Sequence, residues 1–149
     1  MELEPASPMD EPWIRQLLIL CGLPEEDITP EHLRHFWVLK GKGRVVGVVG
    51  IEIFGPTALL RSLAVDPGFR GRGLASRLTR EAEDYAASQQ VEALYLLTVT
   101  AEDFFAKRGY RKSSRESAPA ALQETAEFRG LCPASSICMV KSLPSSRRS

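Results

Sequence analysis

Cysteine and histidine are both scarce in this chain of 149 residues, which holds three cysteines and two histidines. Cys21, Cys132 and Cys138 form no CxxC pair, and His32 and His35 lie far from them in sequence. Neither a zinc site nor a disulfide framework is expected, and the thiols read as free. Net charge is missing too, since 19 Lys and Arg balance 19 Asp and Glu. A non-specific nucleic-acid binder is normally basic, so nucleic acid is not an expected partner. No apolar run approaches the roughly 18 residues of a membrane span. The N-terminal MELEPASPMDEP lacks the basic start and apolar centre of a signal peptide. The expectation is a cytoplasmic protein with no membrane partner.

What is present is the profile of a soluble globular protein, with 44% apolar and 26% charged residues. The length suits one domain over residues 1–149. Residues 12–23 carry Trp13, Leu17, Leu18 and Leu20 at near-helical spacing ahead of Gly22 and Pro24, which predicts a helix. Thr29-Pro30-Glu31-His32 reads as an N-cap with proline in the first turn of a short second helix. Residues 36–39 and 44–54 read as strands joined at Gly41-Lys42-Gly43, and Gly47 and Gly50 predict a bulge or a close backbone contact in the second. Residues 58–65 complete an antiparallel meander.

Leu74, Leu78, Ala82 and Tyr85 mark an amphipathic helix over residues 73–89. Residues 91–99 are almost continuously apolar, predicting a strand buried on both faces. A short helix over residues 101–108 stops at Gly109. A strand begins at Tyr110, residues 119–128 read as helix, and residues 136–140 as a closing strand. A frayed tail is expected from about residue 144. The fold class is α/β, with a mixed, mostly antiparallel central sheet flanked by helices.

At the centre stands LAVDPGFRGRGLASRL, residues 63–78. An apolar strand breaks at Asp66-Pro67-Gly68, and glycines alternate with arginines where a helix begins. Helix N-termini carry unpaired N–H groups and partial positive charge. Gly71 and Gly73 lack the Cβ atoms that keep a ligand off the backbone. Arg70 and Arg72 add charge at the rim, so a phosphate or pyrophosphate site is one reading. A tight strand-to-helix turn with two solvated arginines is the other. A Walker A loop, GxxxxGK[ST], is absent, and the dinucleotide fingerprint fails where Ser76 takes its last position.

The run R-G-R-G-L-A, Arg70 to Ala75, resembles the [QR]-x-x-G-x-[GA] motif of the GNAT acetyltransferases. YLLTVTAEDFFAKRGYRK, with Ala101, Phe104, Phe105, Gly109 and Tyr110, is similar to that family's A-x-x-F-[YF]-x-x-x-G-[FY] segment. Two motifs at the expected separation are more specific than either alone. The resemblance implies the GNAT fold, a single acetyltransferase domain and acetyl-CoA as cosubstrate without a metal. It implies that the amides of Arg70, Gly71, Arg72, Gly73, Leu74 and Ala75 hold the pyrophosphate. The strand edge at Leu63, Ala64 and Val65 would pair with the pantetheine arm, on a strand that carries a bulge. A backbone N–H near Ala64 or Val65 is the candidate oxyanion donor.

Many family members place a tyrosine acid where this chain has Phe105, which can line the cofactor but cannot donate a proton. Tyr85, Tyr95 and Tyr110 are read as packing. Glu52 is the candidate general base, set opposite Ile51 and Ile53 by strand alternation, and a solvent-facing carboxylate is the plain alternative. His32 and His35 are weaker candidates.

The implied acceptor is a small-molecule amine. Arg61, Ser62, Thr98 and Arg129 are its candidate contacts, the arginines as clamps for a carboxylate. The pattern ALLRSLAV, RGRGLA, LLTVTAEDFFAKRGY, PAALQETAEF and LCPASSICM also resembles a subgroup associated with arsenic-resistance operons, itself similar to the acetyltransferase domain of N-acetylglutamate synthases, a likeness carried by LLTVTAEDFFAKRGY. That likeness points to a glutamate-like acceptor or an arsenical analogue. Cys132 and Cys138 are read as core and not as arsenic ligands. A peptide or protein N-acetyltransferase and a non-catalytic acyl-CoA sensor are the alternatives. A homodimer is left open.

Overall fold

The apolar periodicities resolve into seven strands and five α-helices in the computed structural model, which describes residues 1–144. In chain order they are β1 (Glu2–Pro5), α1 (Glu11–Leu20), α2 (Pro30–Leu33), β2 (Phe36–Gly41), β3 (Arg44–Phe54), β4 (Thr57–Val65), α3 (Leu74–Ser88), β5 (Ala93–Thr98), α4 (Glu102–Ala106), β6 (Arg111–Ser113), α5 (Ala120–Gln123) and β7 (Ile137–Ser142). The seven strands form a sheet in the order β1-β2-β3-β4-β5-β7-β6. Pairing is parallel between β4 and β5 and antiparallel at β1–β2, β2–β3, β5–β7 and β6–β7. Among the described residues no helix is long and apolar enough to cross a membrane. The tail expected from about residue 144 falls on residues 145–149, outside the described ones.

The chain divides into two compact units. One comprises Met1–Glu52 with Leu60–Tyr85, the other Ile53–Leu59 with the chain from Ala86 onward.

In the first unit, Ile14, Leu17 and Leu18 of α1 pack with Phe36, Val38, Val45, Val48 and Ala64 of the sheet. The buried face of α1 differs from the expected one. Trp13 and Leu20 sit roughly 100° around the axis from Ile14–Leu18 and are exposed. The helix also ends three residues early, because Gly22 takes a left-handed φ of 72°. Its N–H donates to the Ile19 carbonyl and that of Leu23 to the Leu18 carbonyl, a Schellman closure.

Strand β1 has no counterpart in the sequence reading. Glu2–Pro5 is short and charged, with one leucine, and it is extended because β2 offers it a free edge, Leu3 opposite Leu39. Lys40 ties it down, with Nζ 2.9 Å from Glu4 and 3.2 Å from buried Asp10.

The two glycines of β3 do what their positions suggested. Leu39 pairs with Gly47 but Lys40 pairs with Val45, so Val46 is the extra residue of a bulge. Its carbonyl is used instead by the Asp66 N–H at 2.8 Å. Gly50 faces Phe36 across the ladder, and a Cβ there would stand 2.2 Å from the ring.

In the second unit, Thr57, Ala58 and Leu59 of β4 pair with Ala93, Leu94 and Tyr95 of β5. Leu59, Ala118 and Leu122 form a small core against Phe54, Tyr95 and Phe128. Burial along β5 alternates, with Leu94, Leu96 and Thr98 buried and Ala93, Tyr95 and Leu97 only partly so. The strand is therefore not fully covered on both faces, and its continuous apolar run overstated its burial. The helix expected over residues 119–128 breaks after one turn, α5. The Thr125 hydroxyl donates to the Leu122 carbonyl at 2.7 Å, competing with the helical ladder. A wider turn, Glu127–Leu131, follows, with Gly130 at φ 145°.

Replacing Gly50 with Ala forces the Phe36 ring out of its place in the core. The expected loss is about 1–3 kcal/mol of stability, read as a lower urea midpoint with unchanged m-value.

Candidate functional site

Loop 66–73 is built by its own side chains. Asp66 Oδ1 accepts from the Gly68 N–H at 2.8 Å, and the Asp66 carbonyl accepts from the Phe69 N–H, closing a single 3-10 turn. Arg44 holds the other carboxylate oxygen at 2.9 Å. Phe69 is buried and anchors the turn, with Arg72 Cζ 4.9 Å and Arg44 Cζ 5.4 Å from its ring centre. Arg70 folds back, its Nε donating to the Val65 carbonyl at 3.1 Å. The two arginines read from sequence as rim charge thus also brace the loop.

Between them the backbone is bare. Gly71 and Gly73 hold left-handed φ of 81° and 76°, and beyond their immediate chain neighbours no atom lies within 4 Å of where their Cβ would stand. Glycine is required there by conformation, not by crowding. Helix α3 begins directly after Gly73, which has no side chain to cap it, and its first turn holds no acidic residue. First-turn N–H groups behind an exposed glycine loop are what an anion needs. Leu74 is buried, Ala75 is half-buried, and the Arg77 N–H already closes on the Gly73 carbonyl.

Strand β4 reaches the loop through an irregularity. Ser62 has φ 60°, uncommon for a residue other than glycine, so the strand turns within its own length. The registered ladder to β5 ends at Leu59. Beyond Ser62, Leu63 is half-buried and Ala64 and Val65 are buried.

Arg61, just before that irregularity, carries a guanidinium with a fully buried side chain. Its Nη1 and Nη2 both donate to Asp27, with Nη2–Oδ1 at 2.7 Å. Nη1 also donates to Glu52 Oε2 at 2.9 Å, and Nε donates to the Ser62 hydroxyl at 3.0 Å. His32 Nε2 stands 3.7 Å from Glu52 Oε1. The ligand-type atoms of Asp27, His32 and Glu52 lie within 4.8 Å of one another, and the cation among them is Arg61. Burial alone would raise the pKa of Asp27, but hydrogen bonds and charge from Arg61, helped by His32, pull it below the usual 3.8.

Glu52 is thus neither solvent-facing nor isolated. Arg61 and Ser62, read as acceptor contacts, are committed to each other and to these carboxylates. Asp27 went unrecognised: it lies in an acidic run 34 residues from Arg61, and no local pattern marks the pairing.

The remaining candidates belong to the second unit. Thr98 is buried and its hydroxyl accepts from the Ala101 N–H at 3.0 Å, capping the approach to α4. Phe105 is buried edge-on to Phe104 and Tyr110, with ring centres 5.0 and 5.4 Å apart. Arg129 is exposed. Cys132 and Cys138 are both buried, and burial raises the Cys138 thiol pKa above its ordinary value.

Comparison with known proteins gives a consistent picture. The model of the acetyltransferase (GNAT) family matches residues 2–113. An uncharacterised N-acetyltransferase of Chlorobaculum tepidum is 34% identical over 90 residues, covering 60% of this chain and 57% of its own length. The amino-acid acetyltransferase of Pseudomonas fluorescens is 27% identical over 97 residues, 64% of this chain and 22% of that protein. The chain therefore spans little more than half of the first relative and under a quarter of the second. Among solved structures, N-acetylglutamate synthase from Neisseria gonorrhoeae, complexed with coenzyme A and N-acetyl-glutamate, superposes with TM-score 0.82. Its identity is 23%, covering 96% of this chain and 35% of that one. Rv2747 from Mycobacterium tuberculosis, solved with CoA, gives TM-score 0.82 at 22% identity, covering 97% and 100%.

The Asp27 pairing has a pH signature. A carboxylate whose folded pKa is depressed adds stability that is present above its unfolded pKa and lost as pH falls through the folded one. Wild-type stability should therefore decline as pH drops below 3.8. Asp27→Asn should be less stable at neutral pH and show a shallower acid decline, measured by denaturant unfolding at stepped pH.

Proposed function

The chain belongs to the GNAT acetyltransferase family, and from that premise we propose that it transfers acetyl from acetyl-CoA to the amino group of a small amino-acid-like acceptor. The observation that carries this reading is the start of α3 directly behind the bare Gly71–Gly73 backbone, with no acidic residue in its first turn. In this assignment the amides of Arg70 to Ala75 take the pyrophosphate. Leu63, Ala64 and Val65, beyond the left-handed Ser62, present the strand edge to the pantetheine arm.

The acceptor amine attacks the thioester carbonyl carbon. A C–N bond forms, the C–S bond breaks, the nitrogen gives up its remaining surplus proton to water as the amide forms, and coenzyme A leaves as thiolate. An N–H of Ala64 or Val65 meets the developing oxyanion. The attacking amine must first lose a proton, since an α-amino group is mostly ammonium near pH 7. Glu52 takes that proton, directly or through water. Phe105 cannot protonate the leaving thiolate, and a thiol with a pKa of roughly 8.5, by analogy with Cys, departs without that help.

The amino-acid acceptor is supported by the likeness to N-acetylglutamate synthase and to an amino-acid acetyltransferase. With Arg61 committed to Asp27 and Glu52, it is not left to clamp an acceptor carboxylate. A second reading, a non-catalytic acyl-CoA sensor, is favoured by Phe105 alone.

Thiol release from acetyl-CoA, measured across amino acids, arsenical amino-acid analogues, polyamines and short peptides, tests the proposal. Release with one small amino acid supports it, and release only with peptides moves the acceptor class to a protein N-terminus. Tight acetyl-CoA binding with no release on any amine favours the sensor. With the acceptor so found, Glu52→Gln should lower kcat/KM by about 10²–10⁴-fold while leaving acetyl-CoA binding intact. Gly73→Ala should do the opposite, raising KM for acetyl-CoA with less effect on kcat.

A further inference from the structure

Around Arg61, one buried guanidinium serves two carboxylates, Asp27 and Glu52. Two carboxylates set against one guanidinium leave one negative charge over. The hydrogen bonds decide where it resides. Asp27 gives Oδ1 and Oδ2 to the guanidinium, in the bidentate arrangement that fits a carboxylate best. Glu52 gives only Oε2, to an Nη1 it shares with Asp27. Its Oε1 is turned toward His32.

The state of His32 follows from its other nitrogen. Nδ1 accepts the Thr29 N–H at 3.1 Å, while the His32 N–H donates to the Thr29 hydroxyl at 3.3 Å, a reciprocal cap on α2. An Nδ1 that accepts carries no proton, so the neutral ring bears its hydrogen on Nε2. Nε2–H therefore faces Glu52 Oε1, and at 3.7 Å it is too far to be a formed hydrogen bond. Nε2 has no lone pair with which to accept a proton. Charging the ring would place a proton on Nδ1, against the Thr29 N–H, and open the cap.

The geometry points to Asp27 and His32 as positioning residues that keep Glu52 the surplus carboxylate of the network, Asp27 by taking the Arg61 charge and His32 by presenting an Nε2–H edge to Oε1. This rests on the reading of Glu52 as base and says why that carboxylate, and not Asp27, has an oxygen to offer an ammonium proton. It also removes His32 from the candidate bases. The charged and titratable groups that face Glu52 are Arg61 from β4, Asp27 from the segment ahead of α2, and His32 from α2 itself. The Phe36 ring lies 6.0 Å from the guanidinium carbon and adds no charge that titrates.

Two spectroscopic measurements on the full chain test this without any acceptor. Long-range ¹⁵N–¹H correlation near pH 7 should give the Nε2–H tautomer for His32, and an Nδ1–H tautomer overturns the proposal. In ¹³C-Glu-labelled protein, with the Glu52 carboxyl assigned by its loss in Glu52→Gln, Asp27→Asn should move the Glu52 titration midpoint down. The sign follows because the substitution removes a neighbouring negative charge and leaves Arg61 to Glu52 alone. An unchanged or raised midpoint overturns the assignment of Asp27. Should Asp27→Asn not fold, the tautomer measurement and the titration in His32→Gln remain. Gln keeps an acceptor for Thr29 and an N–H donor, and should leave the midpoint near wild type where His32→Ala shifts it. A shifted midpoint in Asp27→Asn with full turnover in Glu52→Gln would retain the network and reject the base. Lost turnover in Glu52→Gln with a stationary midpoint would do the reverse.

Discussion

A cation with no exposure to water must have its partners supplied by the fold, and Arg61 obtains them from three directions. Asp27 comes from the segment after α1, Glu52 from the end of β3, and Ser62 from its own strand. Desolvating a guanidinium costs several kcal/mol unless its donors are met, and removing one partner of such a group typically costs about 3–5 kcal/mol. The positions of those three segments are therefore coupled. The left-handed turn at Ser62 belongs to the same device, because it puts the Ser62 hydroxyl where Arg61 Nε can reach it. The irregularity that redirects β4 toward the loop is held by the ion network beneath it.

Around the loop the same economy recurs with backbone in place of charge. Val46, displaced by the bulge of β3, turns its carbonyl to Asp66, and Asp66 organises the turn that leads to Phe69. A glycine-permitted fault in one strand thus becomes the anchor of the segment that opens α3. The two arginines of RGRG work inward as well as outward. One closes on the carbonyl of Val65, and the other lies over Phe69.

Much of this was legible in the residues. Both strands of the hairpin, the cap at Thr29, the faulted β3, the amphipathic α3 and the glycine loop follow from periodicity and turn chemistry, which are local. The family motifs were legible for the same reason, since each is a short run of adjacent residues. What escaped notice was non-local. Strand β1 exists because β2 offers an edge, and nothing in ELEP announces it. Asp27 looked like one acid among several in PEEDITP. Arg61 looked like a clamp for a ligand because its partners lay 9 and 34 residues away. The outward turn of Trp13 and the half-covered face of β5 were misjudged alike, because composition reports how apolar a segment is and not which neighbours cover it.

The two tryptophans of this chain fell to opposite environments. Trp37 in β2 is 7% exposed with Tyr85 edge-on at 4.9 Å, whereas Trp13 on α1 is 56% exposed. Indole emission shifts to longer wavelength as water reaches the ring, and Trp13 is in water already. The colour change on unfolding thus originates at Trp37, beside the β2–β3 ladder, and the quenchable fraction of the native emission originates at Trp13. Intrinsic fluorescence divides by wavelength into a report on the sheet and a report on the outer face of the first helix.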